Sequence, residues 1–481
     1  MIFLCGINVS AQDFQSYKKQ QQESLKQYRQ KNQDDWEAYR RKMNEEFASF
    51  LKKPWEKAAG EKPLTAKPSV PDVPPVVLPD KSKDIPKDKP INVVVKPRLQ
   101  VKESPRPVPI VPYTPKPEEK RIDFTFFGTE ASVRFNPEKK KNLTGEKEES
   151  VSRFWQDLSG NDYDNLVHDC LEVKEEKDLC DWAFYKMAEA LSLKLYKDNA
   201  AAVFHAWLLA QAGYKVRLGR DNGIIHVLTG IAESVFYYSY WNLSGQKYYL
   251  LDGSKVSSMN VIQQDFPGSR PLSLAFNGDT DLDDRPGNPR RLFAKKYPSV
   301  NPEVRCNLNR ISFLGTYPSF AIGTTHNQDW RNYASAPLSA TAKEKLYPSL
   351  KKAIGGKSET EAVSIILNFV QTAFEYKTDG EVWGRERAFF PEETLSYPFC
   401  DCEDRSILFC RLVKDLLGLD TAFISYPGHV AAAVKFTTEV TGDYFTIEGK
   451  KYLICDPTYI NAGIGLSMPN LDNSKAQAYL F

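Results

Sequence analysis

The sequence has no apolar run long enough to span a bilayer, almost no net charge and very few histidines. It contains 64 Lys and Arg against 62 Asp and Glu, a formal charge of +2 over 481 residues. Because positive and negative residues are nearly equal in number, the charge gives no argument for a nucleic-acid partner or an acidic membrane surface. The lack of a long apolar run predicts that the chain has no transmembrane segment. With only five histidines, chemistry that needs an imidazole has few candidates.

The N-terminus, MIFLCGINVSA, lacks the basic residues that normally precede the apolar core of a signal peptide. Its apolar core and its small-x-small ending at Ala11 still fit signal cleavage. We therefore expect residues 1–11 to be a signal peptide and the protein to be exported, to the periplasm or the cell surface; a short mature N-terminus is the alternative.

Cysteine is scarce, and the number of cysteines is odd after Cys5 is removed with the expected signal peptide. An odd number in an exported protein leaves at least one thiol unpaired, which suggests that one has a chemical role. The seven remaining cysteines are at positions 170, 180, 306, 400, 402, 410 and 455. Cys170 and Cys180 are close enough in sequence for us to expect a disulfide between them in an oxidising compartment.

Residues 12–58 are very polar and carry large apolar residues in pairs that repeat every eleven residues. The pairs are Phe14/Tyr17, Leu25/Tyr28, Trp36/Tyr39 and Phe47/Phe50. Eleven residues make three helical turns, so the pattern predicts one long helix with a nearly straight aromatic stripe. That stripe would dock on the body of the same chain or mediate self-association.

Residues 59–120 are rich in Pro, Lys and Asp and cannot form a core, so we expect a disordered linker there. Folded sequence resumes with RIDFTFFGTEASVRF, residues 121–135, whose alternation around a glycine predicts a β-hairpin.

The stretch FCDCEDRSILFCRLVKDLLG places Cys402 at the start of an apolar helix that should end at Gly418. A helix N-terminus favours a thiolate, so we expect a lowered pKa for the Cys402 thiol. A nucleophilic thiol also needs a base. His429 opens the strand HVAAAVKF, in which Val430, Ala432 and Val434 should face one side and His429 the other.

A third group should orient the imidazole. The hairpin YFTIEGKKYLICDPTY follows, and its second strand ends at Asp456. Cysteine at a helix start, histidine at a strand start and aspartate at a strand end therefore occur in this order. Two other roles stay open for the cysteines: a zinc site formed by Cys400, Cys402, His429 and Cys455, or purely structural disulfides.

Residues 340–470 resemble the transglutaminase-like superfamily, which has a papain-like Cys-His-Asp fold. The resemblance rests on Cys402-Glu403-Asp404, His429-Val430 and Asp456-Pro457-Thr458. It implies an α+β core of a helix packed on an antiparallel sheet, with no metal or cofactor. It also implies that Cys402 is the nucleophile, His429 the general base and acid, and Asp456 the residue that orients it. Asp404 would help to fix the helix start.

One departure from the family pattern is Cys400, where members usually have a small residue two positions before the nucleophile. Cys400 is bulkier and oxidisable, so it could form a disulfide with a neighbour or protect the site. The oxyanion donor is not assigned by the motif; the backbone N–H of Cys402 is the natural first candidate.

A second, degenerate copy of the pattern lies upstream. Residues 197–219 align with 402–424, and the following segments place Lys197, His226 and Asp252 at the positions of Cys402, His429 and Asp456. The sequence therefore predicts an internal duplication, with a degenerate domain at 121–337 and a domain carrying the triad at 338–481. A chance similarity of helix and strand order is the alternative.

The loop 253–337 contains Asp279, Asp281, Asp283 and Asp284, which fit a calcium loop or, more simply, a solvated acidic turn. Taken together, these patterns predict an exported thiol enzyme that acts on peptide or carboxamide bonds of a peptide or protein substrate through a Cys402 thioester. The acyl group would pass to water or to an amine. The alternative is a catalytically inactive scaffold or binding protein of the cell envelope.

Overall fold

The computed structural model describes residues 38–66, 76–79, 88–97, 120–160, 163–321 and 329–481, with a few isolated helical positions before residue 38. The predicted signal peptide and the first three aromatic pairs of the long helix, except Tyr39, lie outside these residues. No helix in the described part of the chain is both long and apolar enough to cross a membrane.

The first helix, α1 (residues 38–51), lies on the body of the same chain. It buries Met43, Phe47 and Leu51 on one face, and the Phe47 ring centroid is 4.9 Å from that of Trp155. The helix ends before Pro54, because a residue preceding proline avoids the helical region. The predicted extension to residue 58 is therefore wrong, and strand β1 (Glu56–Ala59) follows instead.

The predicted disordered linker is also wrong where the structure describes it. Residues 88–97 form two short strands, β2 (Pro90–Ile91) and β3 (Val94–Val95), which pair with the C-terminal sheet. Residues 76–79 also contact that part of the chain, through a bridge between Val77 and Ile460. Composition alone did not reveal this, because the strands take their hydrogen-bond partners from a distant sheet.

We call residues 120–321 the first half. The predicted hairpin at its start is confirmed as β4 and β5, and it continues through helices and strands as follows. The elements are β4 (Arg121–Phe126), β5 (Thr129–Arg134), α2 (Glu148–Leu158), α3 (Asp164–Glu176), α4 (Asp181–Leu195), α5 (Asp198–Gln211), β6 (Val216–Asp221), β7 (Ile224–Gly230), β8 (Ser234–Val235), β9 (Tyr240–Leu243), β10 (Gln246–Leu250), β11 (Ser258–Val261), β12 (Arg290–Arg291), β13 (Glu303–Val304), α6 (Leu308–Leu314) and β14 (Phe320–Ala321).

We call residues 329–481 the second half. Helix α12 and strand β18 begin where the sequence predicts and β20 ends just before Asp456, whereas β18 ends two residues before the predicted end of its strand. The elements are α7 (Trp330–Ser335), α8 (Ala340–Ile354), α9 (Glu359–Thr372), β15 (Glu375–Tyr376), α10 (Asp379–Val382), α11 (Pro391–Ser396), β16 (Phe399–Cys400), α12 (Cys402–Leu417), β17 (Thr421–Tyr426), β18 (His429–Val434), β19 (Tyr444–Ile447), β20 (Lys450–Cys455) and β21 (Gln477–Leu480).

The fold mixes helices with antiparallel sheets, and the two main sheets share one strand order. In the first half the order is β11-β6-β7-β10-β9, and in the second half it is β21-β17-β18-β20-β19. Each sheet follows a buried helix in the chain, α5 or α12. The chain therefore forms the equivalent strands of the two sheets in the same order in both halves.

Short segments from residues 56–97 close both sheets. Strand β1 pairs with β11 at one edge of the first sheet, and Glu61 just beyond it bridges Tyr240 in β9 at the other edge. In the second sheet β2 pairs with β19 and β3 with β21. Because Ile91 to Val94 can span at most about 11 Å, the two edges of that sheet must lie close together. Each sheet therefore curls towards a closed barrel.

The side chains of β18 alternate between two cores; the sequence predicts the apolar face formed by Val430, Ala432 and Val434, but not the second core on the other face. Val430, Ala432 and Val434 lie in the main core with α12. Ala431 and Ala433 lie in a separate cluster with residues of β17, β19, β20 and β21, inside the curled sheet. The main core contains residues of both halves, so the halves share one apolar interior.

The seven cysteines from Cys170 onward are all buried free thiols. The predicted disulfide between Cys170 and Cys180 is therefore wrong; the Cys180 sulfur instead lies 3.1 Å from the Tyr317 hydroxyl. The aspartates of the loop 279–284 bond to other parts of the chain, for example Asp283 to Lys177 Nζ at 2.7 Å. Within the described residues they form no cluster of metal-ligand atoms.

Candidate active site

Helix α12 begins at Cys402, with Asp401 as its N-cap residue. The Asp404 carboxylate accepts hydrogen bonds from the Asp401 N–H at 3.3 Å and the Phe389 N–H at 2.7 Å. Asp404 thus holds the helix start and ties it to the chain that precedes it. Burial raises the pKa of Asp404 to about 7, although these two N–H groups act in the opposite direction.

His429 and Asp456 form a buried pair at the ends of adjacent strands. His429 Nε2 lies 2.8 Å from Asp456 Oδ2, and the two residues are 3% and 2% exposed. The other carboxylate oxygen accepts the N–H groups of Thr458 and Tyr459. Because an ionised carboxylate can only accept, Nε2 carries the proton and Nδ1 is left as an acceptor.

The thiol of Cys402 faces acidic neighbours. Its Sγ donates to Glu403 Oε2 at 3.2 Å, and no hydrogen bond joins it to His429 in the described structure. Burial first, and then the charges of Glu403 and Asp401, raise the pKa of Cys402, while the Val430 N–H acts in the opposite direction. The expected lowering of this pKa by the helix N-terminus is therefore wrong in this conformation.

A segment absent from the first half covers the helix start. Residues 373–401 separate α9 from α12, and we call them the covering segment, whereas residues 196–197 alone separate α4 from α5. Within the covering segment β15 pairs with β16, and the partly exposed Arg387 forms an ion pair with the buried Glu393. Cys402 beneath it has no exposed surface.

Four buried carboxylic acids gather beside the thiol, and we call them the acid pocket: Asp379, Glu386, Asp401 and Glu403. Burial first, and then the charges of Asp401 and Asp404, raise the pKa of Asp379 to about 10. Sequence reasoning missed this group. Asp401 and Glu403 flank Cys402 and were visible, but Asp379 and Glu386 come from the covering segment and follow no motif spacing.

A cleft of about 850 Å³ opens beside the site. The residues that line it include Lys296, Asn368, Gln371, Tyr376 and Arg405. Burial raises the pKa of Tyr376, and the charge of Cys402 is the next cause, so the phenol lies close to the thiol. The cleft is therefore lined by a tyrosine of the covering segment that lies near Cys402, while Cys402 itself does not line it.

The first half holds a second His-Asp pair with different geometry. His226 Nδ1 lies 2.7 Å from Asp252 Oδ2, and the aspartate side chain is 43% exposed. Lys197, the residue at the position of Cys402, is the exposed N-cap of α5. The structure therefore brings His226 and Asp252 together, and leaves Lys197 at the surface.

The strand register explains why the two pairs use different ring nitrogens. Continuing the pairing of Leu228 with Leu250 puts His226 directly opposite Asp252. The pairing of Ala432 with Cys455 instead puts Ala431 opposite Asp456. His429 therefore lies diagonally across from Asp456 and not directly opposite it. The residue of the first half that is structurally equivalent to His429 is Ile224, because each of the two is the first residue of its strand after a two-residue turn.

The zinc arrangement left open by the sequence does not form in the described structure. No cluster of ligand atoms there unites Cys400, Cys402, His429 and Cys455. Cys455 lies in the main core, on the face of its strand opposite to Asp456.

Comparison with protein-family models, with curated proteins and with solved structures gives no match. The geometry and chemistry of the site are therefore the basis for any functional conclusion.

Proposed function

We propose that the protein is an exported thiol enzyme of transglutaminase-like type that forms a thioester at Cys402. The observation that carries the proposal is the buried His429–Asp456 pair at the ends of β18 and β20, next to a helix that begins with a cysteine. A fixed imidazole with one nitrogen left as acceptor is what a nucleophilic thiol requires. We also propose that the two halves are copies of one papain-like unit, because they share a strand order.

In the proposed reaction, His429 Nδ1 takes the thiol proton as Cys402 Sγ attacks a peptide or carboxamide carbonyl carbon. Asp456 stabilises the imidazolium that forms and keeps the ring oriented. The backbone N–H of Cys402 at the helix start is the first candidate for the oxyanion donor. His429 then gives the proton to the leaving amine, and the thioester passes its acyl group to water or to an amine.

Substrate access requires a movement of the covering segment, because Cys402 has no exposed surface. The cleft that Tyr376 lines is the entry route in this proposal. Movement of Tyr376 would join the cleft to the thiol, and withdrawal of Glu403 would free the sulfur to meet His429. Loop movements of this kind commonly complete catalytic sites.

The test is release of ammonia or amine from peptides that contain side-chain or backbone amides, with hydroxylamine added to trap a thioester. We expect turnover by the full chain, none by Cys402→Ser, and a loss of at least about a hundredfold in His429→Gln. Lys197→Ala is the control and should retain full activity. Equal trapping by the parent chain and Cys402→Ser would refute the proposed enzyme.

The burial of Cys402 and the direction of its pKa favour a second candidate, a scaffold of the cell envelope whose triad is inactive. Site-by-site iodoacetamide labelling distinguishes the two. In the enzyme, Cys402 labels faster than the buried thiols Cys400 and Cys410, and His429→Ala removes the difference. In the scaffold, the three thiols label equally slowly and the histidine has no effect.

A further inference from the structure

The cleft beside the candidate active site is lined by basic residues and by no carboxylate. Its volume of about 850 Å³ lies in the usual range of ligand-binding pockets. Its lining includes Lys295, Lys296 and Arg405, whereas no Asp or Glu of the described chain lines it. Glu361 and Glu375 lie on segments that form its wall, but neither of them lines it. The lining therefore favours an anionic ligand.

The two lysines are held at the cleft through their backbone. The Lys295 N–H donates to Thr372 Oγ1 at 3.0 Å, and the Lys296 N–H donates to Asn368 Oδ1 at 3.0 Å, so both are tied to α9. Both lysines are exposed, and neither forms an ion pair with another described residue. Their position is therefore fixed while their charges remain available to a ligand.

The cleft adjoins the elements that carry the proposed triad. Gln371 lines it, and the amide of this side chain donates to the carbonyl oxygens of Asp456 and Ala462, each at 3.1 Å. Arg405 also lines it, about one helical turn after Cys402 on α12, and donates to the Gln371 carbonyl oxygen at 3.2 Å. A ligand in the cleft therefore lies beside the helix and the loop that position Cys402 and Asp456.

One edge of the cleft offers unpaired backbone groups. Residues 76–79 run beside the loop that follows β20. The Leu78 N–H donates to Ile460 O at 3.0 Å, and the Ile460 N–H donates to Val76 O at 2.9 Å. Val77, between them, lines the cleft and is 62% exposed, and its own N–H and C=O have no partner among the described residues. An unpaired strand edge of this kind accepts an extended peptide.

We propose that the cleft binds an extended acidic peptide, with its backbone along Val77 and its carboxylates at Lys295 and Lys296. The positive charge selects acidic side chains, and the strand edge selects a peptide over a small anion. This role rests on the proposed function, in which the peptide in the cleft is the part of the substrate that flanks the reacting amide. Binding of such a non-reacting part positions the amide for attack.

The test is calorimetric titration of the full chain carrying Cys402→Ala, which cannot form an acyl intermediate. One probe is acetyl-Glu-Glu-Ala-Gln-Ala-Glu-Glu-amide, and the other has serine at every acidic position. We expect the acidic probe to bind about tenfold more tightly, which two partly exposed ion pairs can supply. This ratio should fall towards one as the salt concentration rises from about 20 mM to about 500 mM, because salt screens exposed charges.

A double variant tests the two lysines. Lys295→Gln combined with Lys296→Gln should remove most of the preference for the acidic probe. The matched control is Lys351→Gln combined with Lys352→Gln, which changes an adjacent pair of exposed lysines in the last turn of α8, outside the cleft lining. It should keep the preference unchanged, and thermal unfolding shows that both double variants are folded. An acidic probe with N-methylated backbone amides tests the strand edge and should bind about fivefold more weakly.

Equal binding of the acidic and serine probes at low salt, or an undiminished preference in the folded Lys295 and Lys296 double variant, overturns the acidic selectivity. Unchanged binding of the N-methylated probe overturns the strand edge. Turnover by the parent chain reports on the enzyme separately. The expected binding without turnover would refute the enzyme and leave the cleft assignment standing, whereas turnover without an acidic preference would refute the cleft assignment and leave the enzyme.

Discussion

The starts of α5 and α12 occupy equivalent places in two sheets of the same strand order, yet one is open and the other is sealed. In the first half, Lys197 is exposed, and Asn199 on the first turn bonds the adjacent hairpin through Gly223 O and the Ile225 N–H. In the second half, Asp401, Cys402, Glu403 and Asp404 are all buried. The difference comes from the covering segment, which only the second half contains.

This comparison shows that the two halves share the sheet and the helix, and that the candidate active site at Cys402 also depends on the covering segment. Both halves keep a histidine bonded to an aspartate, but only the second combines that pair with a cysteine and a buried acidic environment. A functional account of the molecule therefore has to explain the covering segment as well as the triad.

The largest effect that we expect is the loss of stability when one buried phenylalanine is truncated in each of the two helices. Phe204 in α5 and Phe409 in α12 fall at equivalent positions, and neither has exposed surface. Phe204→Ala and Phe409→Ala should each lower the free energy of unfolding by about 3–5 kcal/mol, because each leaves a cavity. Chemical denaturation measures this. A loss below 1 kcal/mol at either site would show that its half is not packed as described.

The second prediction concerns access to the two helix starts. A cysteine introduced by Lys197→Cys should react with iodoacetamide about a hundredfold faster than Cys402, equivalent to about 2.7 kcal/mol of local opening. The physical reason is that Lys197 is exposed while the covering segment must open before Cys402 can react. Mass spectrometry of each site gives both rates in one sample, and equal rates would contradict the seal.

The third prediction is that the two halves respond to pH with opposite sign. Burial lowers the pKa of His205 to about 4 and raises the pKa of Glu393 to about 7. Between pH 4 and 6.5 the unfolded chain holds a proton on His205 that the folded chain lacks, so the contribution of His205 to the stability of the first half rises with pH. Over about pH 4.5–7 the folded chain holds a proton on Glu393 that the unfolded chain loses, so the stability of the second half falls with pH.

Each of these two changes should amount to about 2–3 kcal/mol across its window. Hydrogen exchange at pH 5 and pH 6.5, corrected for intrinsic rates, should show α5 gaining protection and α12 losing it. His205→Gln should reduce the response of α5 alone, and Glu393→Gln that of α12 alone; part of the α12 response should remain, because burial also raises the pKa of Asp404 to about 7. Glu393→Gln also weakens the pair with Arg387, so the slope with pH is the readout and not the absolute stability. Slopes of the same sign in both helices would refute the prediction.

The smallest effect concerns the ends of the same two helices. Gly213 and Gly418 both follow the helix with positive φ, at 89° and 67°. Alanine disfavours that region because of its Cβ atom, so Gly213→Ala and Gly418→Ala should each cost about 1 kcal/mol. Asparagine, which tolerates the left-handed region, should cost less at Gly418, where an added Cβ meets nothing within 4 Å. Thermal unfolding resolves both changes, and an alanine that costs nothing would argue against this cap.

Much of the second half could be predicted from local patterns. Helix α12 begins at Cys402 and ends just before Gly418, β18 begins at His429, and β20 ends just before Asp456. Each boundary has a local cause: apolar periodicity, a left-handed glycine, a Pro-Gly turn or a following proline. The meeting of His429 with Asp456 is a consequence of adjacent antiparallel strands.

The errors share a different cause. The linker strands β2 and β3 were missed because their hydrogen-bond partners lie hundreds of residues away. The expected low pKa of Cys402 considered only the helix N-terminus, whereas burial and two neighbouring acids outweigh it. The His226 position was aligned with His429, but the register shows that His226 stands opposite its aspartate and His429 does not.

By itself the sequence determined where α12 and β18 begin and where β20 ends, which residues form one apolar face of β18, and that one cysteine, one histidine and one aspartate occupy the ends of successive elements. Those properties depend on neighbouring residues only. The tertiary structure alone decided that residues 56–97 close the two sheets, that the covering segment buries the thiol, and that four acids meet beside it. Such contacts join residues far apart in the chain, and the energies of burial and charge depend on the surroundings that only the folded chain creates.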